Sequence, residues 1–80
     1  MGRTKRETPR KLAGKLKTIR DGEGLSQTEI ARRLKVKDRA SISQFENAII
    51  EPPLPVLLRY ARLAGVSTDV LIDDKLKLPR

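Results

Sequence analysis

Residues 26–47 read SQTEIARRLKVKDRASISQFEN. Ser26 and Glu29 fit an S-x-x-E capping box, in which each side chain satisfies an orphan N–H at a helix start. Leu25, just before the cap, is placed to pack on Ile30 as a staple. Ile30, Ala31 and Leu34 make the buried face of that helix. Lys35-Val36-Lys37-Asp38 is a tight basic turn with Val36 tucked inward. Asp38 then caps a further helix that runs from Arg39 to Asn47 or Ala48. Its underside is Ile42 and Phe45, three residues apart, and its outer face is Arg39, Ala40, Ser43, Gln44 and Asn47. The pattern predicts two short helices set against each other, with a hydrophobic underside that holds a polar face outward.

Thr8-Pro9, on the N-terminal side, is a helix-start signal: Thr as the cap and Pro at the first helical position, where its missing N–H costs nothing. Leu12, Leu16 and Ile19 follow as one apolar stripe, and the glycines of Asp21-Gly22-Glu23-Gly24 stop the helix. On the C-terminal side, Glu51-Pro52-Pro53 forbids helix. A fourth helix is expected from Pro55 to Ala64, buried through Leu57, Tyr60, Ala61 and Ala64, with Gly65 closing it. Ser67 caps a short fifth helix from Thr68 to Asp73 or Asp74, which adds Leu71 to the core. The expectation is an all-α chain of five helices without strands. Residues 1–8 read as a basic flexible arm, 9–74 as the folded domain, and 75–80 as an extended or frayed tail.

Eighty residues make one small domain with one core. With no cysteine and no histidine, disulfides, Cys-based zinc sites and the usual general base and metal ligand are all missing. This inventory argues against an enzyme, and the sequence points to no metal, no cofactor and no small-molecule ligand. The apolar runs are far too short to span a membrane, and MGRTKRETPR lacks the apolar core of a secretion signal. A cytoplasmic, nucleoid-associated location is expected. The net charge is +8 and uneven: residues 1–20 carry eight Lys/Arg against one Glu, while residues 65–74 carry three Asp and no base. A basic pole suits a densely negative partner such as nucleic acid.

The outer face of the third helix has the chemistry to read base edges in the major groove of double-stranded DNA. Gln44 can bond adenine bidentately, and Arg39 can bond guanine or a phosphate. Ser43 can donate or accept, and the Ala40 methyl can meet a thymine methyl. The preceding helix would cross the backbone, with Gln27 in its first turn at a phosphate. Lys37 and Asn47 flank the reading helix and would grip phosphates. Arg32, Arg33, Lys15 and Lys17 read as hydrated surface, and Tyr60 as core. One Phe and one Tyr are too few for an aromatic RNA-binding platform. Arg3, Lys5 and Arg6 read as a basic tail, with a minor-groove arm as the other possibility.

GLSQTEIARRL, VKDRASISQFEN and PPLPVLLRYARLAGVSTDVL together resemble the Cro/C1-type (XRE) helix-turn-helix family of phage repressors and bacterial regulators, over roughly residues 10–73. The residues that carry the resemblance are Gln27, Ala31, Ile42, Glu46 and the Leu57–Ala61–Gly65–Val66 pattern. It implies a compact lambda-repressor-like domain that binds DNA. It places base reading on Arg39, Ala40, Ser43 and Gln44. It also implies that Arg20 pairs with Glu46, a charge-assisted fork that turns the remaining guanidinium donors toward a phosphate. Arg20 thereby joins Gln27, Lys37 and Asn47 as a phosphate contact, and Ser41 is expected to be another.

Two departures from the family pattern stand out. The turn between Val36 and Ile42 is one residue longer than usual, which shifts the side chains that reach bases. Ala48 stands where the family usually has glycine, so the third helix is expected to run a little further. Ile49, Ile50, Leu58, Leu63, Val70 and Ile72 exceed what the core needs, and Ile49, Ile50, Val70 and Ile72 are expected to form a two-fold dimer interface. Such a dimer would hold two reading helices about 34 Å apart and bind a palindromic operator as a repressor. An antitoxin-type component that binds a partner protein, and a protein-interaction adaptor of the same fold, are the alternatives.

Overall fold

A computed structural model describes residues 9–79. The helices are α1 (Leu12–Gly22), α2 (Gln27–Arg33), α3 (Arg39–Glu46), α4 (Leu54–Ala64) and α5 (Thr68–Ile72), and the described residues include no strand. The apolar stripes do what their spacing predicts. Leu12, Leu16 and Ile19 of α1 meet Ile30 and Ala31 of α2, Ile42 and Phe45 of α3, Leu57, Tyr60 and Ala61 of α4, and Leu71 of α5 in one buried cluster. Leu34 closes α2 within it, and Val56, not expected inside, joins it one residue before Leu57. Ala64 and Leu63 pack at its edge, as do Leu25 and Val36.

The caps around α2 and α3 form as read. Ser26 and Glu29 make the reciprocal box, and the Asp38 carboxylate accepts from the Ser41 N–H at 3.2 Å. The start of α1 differs from expectation. It begins at Leu12, after Pro9, and Thr8 lies outside the described residues, as do Arg3, Lys5 and Arg6. The acceptor at this end comes from the far end of the chain: Asp74 takes the Arg10 and Lys11 N–H groups, each at 3.0 Å. A carboxylate at a helix N-terminus also complements the helix dipole.

Four helix ends share one closure. After α1, α2, α3 and α4 the chain makes a six-to-one hydrogen bond (Leu25 to Arg20, Val36 to Ala31, Ile49 to Gln44, Val66 to Ala61), with the residue before the donor in the left-handed region. That residue is Gly24 after α1 and Gly65 after α4, but Lys35 after α2 (φ 58°) and Ala48 after α3 (φ 59°). The expected extension of α3 therefore does not occur. Hydrogen bonding of the last carbonyls and packing of Phe45 outweigh the Cβ strain at Ala48, and the helix ends at Glu46.

Lys15 also departs from its expected hydrated role. It is only 8% exposed. Its ammonium donates to the carbonyls of Val70 (2.6 Å), Asp73 (3.0 Å) and Leu76 (2.9 Å), at and beyond the end of α5. The tail accordingly does not fray where it leaves α5, and Leu78 packs against the core. No helix among the described residues is long and apolar enough to cross a membrane.

Candidate nucleic-acid interface

Helix α3 is amphipathic over only eight residues, and both faces matter. Ile42 and Phe45 are buried beneath it. Arg39, Ala40 and Gln44 are exposed on the opposite side, and Ser43 is half-buried at its edge. Arg39 and Gln44 have no side-chain hydrogen bond to the described residues, so their donors and acceptors remain available. The face proposed for base reading is thus brought together and open.

The flanking residues divide. Lys37 is exposed in the turn. Ser41 is engaged, its hydroxyl donating to Asp38 at 3.3 Å as part of the α3 cap. The Asn47 amide folds back on its own helix and donates to the Ser43 carbonyl (2.9 Å) and hydroxyl (3.2 Å). The Ser43 hydroxyl donates to none of the described residues, so its proton remains available to a partner. Asn47 is therefore tied to the face proposed for base reading.

The centre of the arrangement is the Arg20–Glu46 pair. The guanidinium meets the carboxylate through two bonds, Nε to Oε2 at 2.7 Å and Nη2 to Oε1 at 3.1 Å. Nη1 donates to the Leu25 carbonyl at 3.0 Å, so Arg20 also braces the turn into α2. Both side chains are largely buried, Arg20 at 14% and Glu46 at 4% exposed. The hydrogen bond that it donates to Glu46 holds Arg20 still more firmly protonated, against the opposing pull of desolvation. Breaking one partner of such a pair would leave a buried charge. Gln27 joins them, its Nε2 donating to Glu46 Oε1 at 3.2 Å. The first turn of α2 and the last turn of α3 thus share one carboxylate, a link the sequence reading did not include.

A further cross-brace also went unread. Arg59 of α4 donates through Nη1 to the Leu34 carbonyl at 3.0 Å, satisfying the end of α2. The partners lie 25 residues apart, so no local pattern announces the contact. Around the end of α3, Ile49, Ile50, Leu54 and Leu58 are exposed, Ile49 at 65%, and Ile72 is exposed on α5 with Val70 half-buried beside it. Among the described residues no cluster of acidic residues could hold a metal ion.

Comparison with known proteins agrees with this geometry. A family model described as a helix-turn-helix domain matches residues 11–74. The fold is similar to the P22 c2 repressor protein solved in complex with a synthetic operator, with a TM-score of 0.71 at 22% identity, over 79% of this chain and 94% of that one. It is likewise similar to a chain of the SinR protein/SinI protein complex, with a TM-score of 0.70 at 25% identity, over 80% of this chain. The present chain spans 62% of that second chain. No curated protein matches by sequence.

Proposed function

The chain belongs to the helix-turn-helix domain family, and from that premise we propose that it is a sequence-specific, double-stranded DNA-binding transcription regulator. Helix α3 enters the major groove, with Arg39, Ala40, Ser43 and Gln44 toward base edges. Gln27, Lys37 and the Arg20–Glu46 fork lie along the phosphates and set the register. Ser41 in the first turn of α3 and Asn47 just after its end support that set, one through the cap and one through Ser43. The observation that carries this reading is the sidedness of α3: Ile42 and Phe45 are sealed below, and Arg39 and Gln44 stand free above.

The protein acts as a homodimer on a palindromic operator and represses by occupying it. The support is the exposed apolar surface of Ile49 and Ile50 beside the end of α3, with Val70 and Ile72 of α5 as the other part of the expected interface. Ile49 and Ile50 also rim a groove of about 190 Å³ with Leu12, Phe45 and Pro52.

Selection of bound duplexes from a random pool tests the whole reading. The expected product is a two-fold symmetric motif with half-sites one helical turn apart. Gln44→Ala should flatten the preference at one position of each half-site, at about 1–3 kcal/mol. A pool that yields no enriched motif at low salt would rule out sequence-specific binding, and an asymmetric motif would rule out the dimer.

A further inference from the structure

Ser43, half-buried at the edge of the outer face, and Asn47, exposed just after the end of α3, stand one helical turn apart. Three bonds join them. The Asn47 backbone N–H donates to the Ser43 carbonyl at 2.9 Å. The side-chain Nδ2 donates to the same carbonyl at 2.9 Å and to the Ser43 hydroxyl oxygen at 3.2 Å. A carbonyl only accepts, so the amide nitrogen, and not the amide oxygen, faces Ser43. That nitrogen donates and does not accept. In the third bond the Ser43 oxygen is therefore the acceptor, and its proton points elsewhere.

A helix hydroxyl commonly takes one of two courses. It donates to a carbonyl one turn back, as Thr18 does to Gly14 at 2.9 Å, or it rotates to donate or accept as its partner requires. Ser43 is biased away from both. It donates to none of the described residues, and one of its two lone pairs is taken by Asn47. Accepting that bond also polarises the hydroxyl and strengthens it as a donor.

We propose that Asn47 sets Ser43 as a hydrogen-bond donor toward DNA, so that the base edge meeting Ser43 must carry an acceptor. The inference rests on the base-reading role of Ser43 proposed above and names the base chemistry that this position selects. In the major groove guanine offers N7 and O6, adenine N7 and thymine O4, whereas cytosine presents only its N4 amino donor. Ser43 admits the first three and rejects cytosine, where two donors would face each other. Asn47 is then a specificity-determining residue that acts through Ser43.

Selection of bound duplexes with the wild type, Ser43→Ala, Asn47→Ala and Asn47→Asp tests this. Ser43→Ala identifies the position that Ser43 reads, as the one whose preference flattens. There the wild type should deplete one orientation of the G·C pair and keep the other, together with both orientations of A·T. A duplex carrying the depleted pair should bind about tenfold more weakly. Asn47→Ala and Asn47→Asp both remove the side-chain donor, the second at nearly constant size, and should narrow that gap to about twofold. A loss of affinity that falls on all duplexes alike, with the tenfold gap retained in either variant, would mean that Asn47 only secures the end of α3 and would overturn the proposal. So would a wild type that tolerates all four pairs at the position Ser43→Ala identifies. If the wild type selects a motif and Ser43→Ala flattens no position of it, the base-reading role of Ser43 fails, and the inference with it.

Discussion

Ala48 and Lys35 hold left-handed backbone that glycine adopts freely and L-residues adopt at about 1–2 kcal/mol. They occupy this region at the residues that end α3 and α2, the two helices of the candidate interface. At Gly24 and Gly65 the same closure is met by glycine, and there the sequence announces it. At Ala48 the missing glycine suggested a longer helix, although the carbonyls at the end of α3 still needed the Ile49 and Ala48 N–H groups. Replacing Ala48 with glycine should therefore stabilise the fold. The gain is about 0.5–1 kcal/mol once the greater flexibility of unfolded glycine is subtracted. Thermal unfolding would show it as a rise of several degrees, and a fall would mean that the alanine methyl has an unrecognised packing role.

The ends of the elements, more than their middles, show what a linear reading can reach. Apolar stripes and the caps at Ser26 and Asp38 are local signals, and they located α2, α3 and the outward face almost to the residue. The clasps are long-range. Lys15 binds carbonyls 55 to 61 residues away, and Asp74 serves N–H groups 63 and 64 residues away. A lysine within an amphipathic helix reads as solvated because nothing beside it says that α5 will end there. Lys15→Met keeps the length and apolar stem but strands three carbonyls, at about 2–3 kcal/mol. The melting temperature should fall by roughly 10–20 °C, and a small change would show the ammonium to be dispensable. Asp74 adds a pH dependence. The Arg10 and then the Lys11 N–H hold its carboxyl below the usual value, so its contribution is complete above the unfolded pKa near 4 and is lost as the pH falls through the lower folded value. Glu29, lowered first by the Ser26 N–H, behaves alike at α2. Asp74→Asn should flatten the acid limb of the stability profile below about pH 4, and an unchanged limb would remove Asp74 from it.

For the molecule as a whole, charge and assembly can be measured in one titration. With a net charge of +8, binding to duplex DNA releases condensed cations, and the logarithm of affinity falls with that of salt by about 0.9 for each phosphate neutralised. Lys37 is exposed in the α2–α3 turn and assigned to a phosphate. Substituting it with alanine should weaken all duplexes alike, since a phosphate contact carries no base information. The size of the slope change then counts the copies bound. A monomer loses one contact, and the slope becomes shallower by about 0.9. A two-fold dimer loses the same contact twice, and it becomes shallower by about 1.8. Isoleucine-to-charge substitution at the exposed Ile49 should convert the larger value to the smaller if that surface joins the two copies. Retention of the larger value would place the interface elsewhere, and no slope change for Lys37→Ala would remove that lysine from the backbone contacts.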